Sequence, residues 1–98
     1  MIKVKRNRTK HTATVTFSLP LSEAPTPVSV AGDFNEWDPL RHPLKKRTNG
    51  TRSVTVEVST PARLCFKYLA DGGTWFNDPD ATWFDTNEYG ETNSVVEL

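Results

Sequence analysis

Asp78, Asp80 and Asp85 fall close together in the chain, and paired carboxylates are what glycoside hydrolysis uses. That chemistry needs two carboxyl groups flanking the scissile bond in a cleft, about 5–5.5 Å or about 6.5–9.5 Å apart. Asp-Pro and Asp-Thr contexts read as turn chemistry instead. A Ser–His–Asp relay would have to use His11 or His42, and neither has a nucleophile beside it in a familiar context. Two distant histidines and Cys65 lack zinc-ligand spacing. Asp71, Asp78 and Asp80 lack the glycine and terminal Glu of a calcium loop. The expectation is therefore a chain without catalytic residues, bound metal or cofactor.

The remaining chemistry is aromatic. Trp37 lies between Glu36 and Asp38 in the polar run GDFNEWDP, where core burial is unnatural. Trp75 follows the turn Asp71-Gly72-Gly73; it either meets a ligand or caps the fold. An exposed indole offers a flat apolar face and one N–H donor. Trp83 and Phe84 stand open between a wider aromatic platform and core or lid packing. Phe34 is read as an inward anchor and Asn35 as bonding its own turn.

These residues need elements to hold them. Seven prolines and many Thr, Val and aromatic residues favour strands and turns over helices. Residues 12–19 alternate, with Ala13, Val15, Phe17 and Leu19 on one face. Residues 28–31 form a second strand, residues 32–39 a loop, and residues 42–46 a short edge strand. Asn49-Gly50 marks a hairpin. Residues 52–58 alternate again, with Val54, Val56 and Val58 inward. Residues 63–70 put Leu64, Phe66 and Tyr68 on one face and Cys65, Lys67 and Leu69 on the other. Residues 74–76 start a return, residues 77–93 are polar and turn-rich, and residues 94–98 close as a strand. About seven short strands separated by turns predict an all-β, antiparallel, immunoglobulin-like sandwich.

The 98 residues suit a single domain, 1–98, in which the basic segment 1–11 either pairs as an edge strand or frays. Net charge is zero, but its distribution is uneven. Residues 1–52 hold ten Lys/Arg against four Asp/Glu, and residues 53–98 hold two against eight. In a sandwich the halves are expected to interleave, so that much of this cancels. The basic start has no interleaved aromatics, so a solvated strand is preferred to a nucleic-acid contact. No apolar run has signal-peptide or membrane-spanning character, and one cysteine makes no internal disulfide. The expectation is a cytoplasmic protein with no nucleic-acid or membrane partner.

Three segments, VSVAGDFNEWDPLRHPLKK, FKYLADGGTWFNDPDA and NEYGETNSVVEL, occur in this order, and together they resemble the family 48 carbohydrate-binding modules. That family includes the early-set domains of isoamylases and glycogen branching enzymes. It also includes the glycogen-binding domain of the AMP-activated protein kinase β subunit. The resemblance runs from about residue 12 to residue 98. It implies a sandwich that binds α-1,4-glucans such as glycogen or starch. It also implies a carbohydrate-binding set: Trp37 and Trp75 stacking on glucose rings, Lys67 and Asn93 bonding hydroxyls, and Tyr89 reaching into the glucan spiral. Glu91 departs from the kinase module, which has Thr in its place.

The residue types suit that role. A pyranose has an apolar C–H face for an indole and a hydroxyl rim for Lys or Asn. Stacking on half a Trp removes roughly 100 Å² from water, near 2.5 kcal/mol. Association costs at least about 4 kcal/mol. Two stacks and a few hydrogen bonds thus predict binding on the order of millimolar to tens of micromolar. The expected partner is an α-glucan polysaccharide or malto-oligosaccharide. Read as a stand-alone module, the chain would target or regulate a separate glycan-metabolising enzyme. The alternative is a protein–protein module of the same fold that has lost sugar binding.

Overall fold

Ala13, Val15, Phe17 and Leu19 are buried, while the residues between them stay partly open, as period-two alternation requires. The computed structural model describes residues 2–98; Met1, the start of the basic segment, lies outside the described residues. The strands in chain order are β1 (Ile2–Asn7), β2 (Thr12–Pro20), β3 (Val28–Gly32), β4 (Lys45–Lys46), β5 (Thr51–Ser59), β6 (Arg63–Ala70), β7 (Thr74–Phe76), β8 (Trp83–Thr86) and β9 (Thr92–Glu97). A single 3-10 turn, Asp33–Asn35, is the helical element among the described residues.

The strands form two antiparallel sheets. The first has the order β1-β2-β5-β4; the second has β3-β6-β9-β8, with β7 paired to β6. The basic N-terminal segment therefore pairs as an edge strand, with Val4 opposite Val15. Phe17 from the first sheet meets Phe66 and Tyr68 from the second, at ring-centroid separations of 4.8 and 6.5 Å. Each such buried side chain contributes about 1.5–3 kcal/mol. Val54, Val56 and Val58 face this core but are only half-buried.

Three sequence expectations change. The structure has nine strands rather than about seven, because residues 2–7 pair with β2 and residues 83–86 with β9, while the expected edge strand at residues 42–46 shortens to 45–46 beside β5. Strand β8 was hidden because none of its four residues is buried, so it carries no alternation to read. Residues 42–44 instead cap the free edge of β3: Val30 N–H donates to His42 O at 3.0 Å and Leu44 N–H to Val28 O at 2.8 Å. The third change concerns charge. The segments of the first sheet, residues 2–20 and 45–59, hold nine Lys/Arg and one acid. Residues 28–44 and 63–98 hold three and ten. The charges segregate by sheet instead of cancelling. The one first-half strand that crosses to the second sheet, β3, leads directly into Asp33, Glu36 and Asp38.

Candidate functional site

Inward placement of Leu64, Phe66 and Tyr68 turns Lys67 to the outer face of the second sheet. The register Phe66–Ser94, continued by one residue, sets Asn93 beside Lys67 on that face. Leu69 pairs with Trp75, which brings the indole to the next row. Trp37 and Tyr89 complete a concavity of about 590 Å³ with these residues. All five residues anticipated from sequence (Trp37, Lys67, Trp75, Tyr89 and Asn93) thus line one surface depression. Trp75 does not cap the sandwich, since 46% of its surface is exposed. Trp83 and Phe84 are exposed too, at 62% and 44%, so neither packs in the core. Asn87 and Glu91 also line the depression. Sequence reasoning passed over Asn87, although an Asn three residues before a glycine is a turn signal.

Trp37 is held by a buried clamp. Asn35 is almost fully buried. Its Oδ1 accepts from Gly32 N–H at 2.9 Å, its Nδ2 donates to Val30 O at 3.1 Å, and Nδ2 lies 2.9 Å from His42 Nδ1. The backbone N–H of Trp37 donates to Gly32 O at 2.8 Å. Asp33 Oδ1 accepts from Cys65 N–H at 3.1 Å, tying the loop to β6. Phe34 stacks on Phe17 at 5.7 Å. Glu36 and Trp37 sit at φ of 60° and 59°, the left-handed region, which costs a non-glycine residue roughly 1–2 kcal/mol. The clamp offsets that strain. Gly32 is extended, so its requirement is space: a Cβ there would lie 2.4 Å from Cys65 O.

The Trp75 side is fixed by a second buried network. Tyr68 OH donates to Asp78 Oδ2 at 2.6 Å, and Asp78 N–H donates to Ser94 Oγ at 3.0 Å. Ser94 Oγ donates to Asn77 Oδ1 at 2.8 Å, and Asn77 Nδ2 donates to Thr92 O at 2.9 Å. Burial, then the Asp78 hydrogen bond, pushes the Tyr68 phenol well above its usual range. Asp78 is thus committed to the fold. Tyr89 stands at the β8–β9 hairpin tip, where Asn87 Oδ1 accepts from Tyr89 N–H at 2.9 Å and Glu91 N–H at 3.0 Å.

Chemically, the depression offers apolar ring faces, one ammonium, two amides and one carboxylate. Burial first, then Asp33, raises the Cys65 thiol, which favours its neutral form over the nucleophilic thiolate. No group of three or more His, Cys, Asp or Glu side chains among the described residues is placed to hold a metal. No helix among them is long and apolar enough to cross a membrane.

Comparison with known proteins identifies relatives of this chain. A 1,4-alpha-glucan branching enzyme, GlgB 2, of Xanthomonas campestris pv. campestris strain 8004 is 43% identical over 47 residues, covering 46% of this chain and 6% of the enzyme. The same enzyme of strain ATCC 33913 matches equally. The chain therefore spans only a small part of these relatives' length. The family model of carbohydrate-binding module 48, the isoamylase N-terminal domain, matches residues 4–87. The chain belongs to the carbohydrate-binding module 48 family.

Proposed function

We propose that this chain binds α-1,4-glucans such as glycogen or starch weakly and without catalysis, through the depression between Trp37, Trp75 and Tyr89. The observation that carries this reading is the convergence of two exposed indoles, a phenol, Lys67 and Asn93 in one surface depression. Trp37 and Trp75 supply faces for the C–H side of the sugar, and Lys67 and Asn93 answer its hydroxyls. Glu91 is the one carboxylate among the described residues lining it, whereas hydrolysis uses a pair. The role inside a larger glycan-metabolising protein, or beside one, is targeting to substrate. A polymer with many equivalent sites makes weak binding sufficient.

The test is a titration with maltoheptaose or β-cyclodextrin, read by tryptophan fluorescence and amide shifts, with Trp37→Ala alongside. Saturation between about ten micromolar and a few millimolar is expected, weakened at least tenfold in the variant. A flat titration at millimolar sugar would overturn the proposal and favour a protein-binding module of the same fold.

A further inference from the structure

Trp83 does not line the depression, yet it shares its face. Strand β8 pairs with β9 so that Trp83 lies opposite Val95 and Asp85 opposite Asn93. Val95 in turn pairs with Cys65. Side chains two apart share a face, so Trp83 and Asp85 stand on the outer surface with Asn93, Lys67, Cys65 and Arg63. The ion pairs agree: Arg63 reaches Asp85 at 3.1 Å and Glu97 at 3.9 Å. Trp83 is diagonal to Asn93, at roughly 7–8 Å by sheet geometry, within reach of a long side chain or one sugar ring. Of the three tryptophans it is the most exposed. It sits on an edge strand none of whose residues is buried, and its neighbour across the pair is the fully buried Val95. Beside it the Arg63 guanidinium and Asp85 carboxylate supply a directional donor and acceptor, while the indole supplies an apolar plate. That combination repeats the chemistry of the depression one row away.

We infer that Trp83, Asp85 and Arg63 form an additional sugar subsite, contiguous with the depression through Asn93, that takes a further glucose unit of the same chain. The inference rests on the glucan-binding reading above. The ring stacks on Trp83, and its vicinal hydroxyls meet the Arg63–Asp85 pair. A glucan chain then runs from the depression across β9 to the sheet edge, and affinity rises with chain length beyond what the depression alone holds.

The experiment measures affinity for malto-oligosaccharides of increasing length, from maltotriose to a chain of about ten units, for the wild-type chain, Trp83→Ala and Trp37→Ala. Trp83 is exposed, so its variant should fold; far-ultraviolet circular dichroism checks this. The expected result is maltotriose affinity unchanged by Trp83→Ala, with a loss of about threefold to tenfold for the longest chains. Asp85→Asn should give a smaller loss with the same length dependence, and the Arg63 side-chain Nε–H resonance should shift only on adding long chains. If Trp83→Ala parallels wild type at every length while Trp37→Ala weakens all of them, the subsite is overturned and the glucan-binding reading stands. If wild type binds no length, both fall.

Discussion

Trp37 and Tyr89 border the same depression and are held by opposite means. Trp37 follows a buried Asn35 with three polar contacts, and its loop threads past β6 where only a glycine fits. Tyr89 is 80% exposed on a hairpin tip organised by one exposed Asn87. The first wall is continuous with the core through Phe34 and Phe17. The second is local. Damage at the Trp37 wall should therefore appear as lost stability and lost binding together, and damage at the Tyr89 wall as lost binding alone.

The largest effect is expected at Gly32. A Cβ there meets the Cys65 carbonyl at 2.4 Å and Phe66 Cβ at 3.0 Å, atoms that do not yield easily. Gly32→Ala should cost about 3 kcal/mol or more in denaturant unfolding. Asn35→Ala comes next. It leaves Gly32 N–H and its neighbours without their buried partner, for about 2–3 kcal/mol, and frees two residues held at positive φ. Glucan affinity should fall with it. Stability within about 0.5 kcal/mol of wild type would break the coupling between wall and core.

How much of this contrast could be read beforehand depended on burial. Ala13 to Leu19 and Leu64 to Tyr68 alternate because one face is buried, so β2 and β6 were legible, and the outward position of Lys67 with them. Strand β8 buries nothing, and its pairing with β9 is set by the turn at Asn87–Glu91 rather than by apolar pattern. The Asn-Gly signal at residues 49–50 indicated a hairpin, but the loop is three residues long, with Arg47 N–H donating to Thr51 O and Gly50 at φ 81°. The gathering of five distant side chains came from family resemblance, since no local pattern relates residue 37 to residue 93. Charge segregation depends on which strands enter which sheet, and composition cannot supply that topology.

Between the two walls lies the Tyr68–Asp78 network, and the expected effect there is intermediate and pH-dependent. Tyr68→Phe removes the 2.6 Å hydrogen bond and should cost about 1–2 kcal/mol near pH 7. The folded phenol holds its proton at pH values where the unfolded one, near pKa 10, releases it. Its stabilising contribution is therefore complete below about pH 10 and declines above it, by up to about 1.4 kcal/mol per pH unit. The gap between wild type and Tyr68→Phe should narrow between about pH 10 and pH 11.5. Guanidinium midpoints at each pH measure it. A constant gap would mean that the buried phenol is not coupled to folding.

The smallest stability effect, and the sharpest test of the comparison, belongs to Asn87→Ala. The Asn87 side chain accepts two backbone N–H bonds on an exposed turn, where water can replace it, so unfolding should shift by under about 1 kcal/mol. The tip also keeps Asn87 N–H to Glu91 O at 2.8 Å and Gly90 at φ 79°, so the hairpin survives. What changes is the spread of orientations open to Tyr89 and Glu91. Ordering them then falls to the ligand, at about 0.5–1.5 kcal/mol per immobilised side chain. Glucan affinity should drop about twofold to tenfold at nearly unchanged stability, as measured by titration and thermal unfolding on the same sample. The mirror experiment is Asn35→Asp, which keeps an acceptor for Gly32 N–H but loses the donor to Val30 O. It should lower stability first and binding in proportion. If the two variants instead gave equal ratios of lost binding to lost stability, the two walls would be one mechanical unit, and Tyr89 would owe its position to the core as Trp37 does.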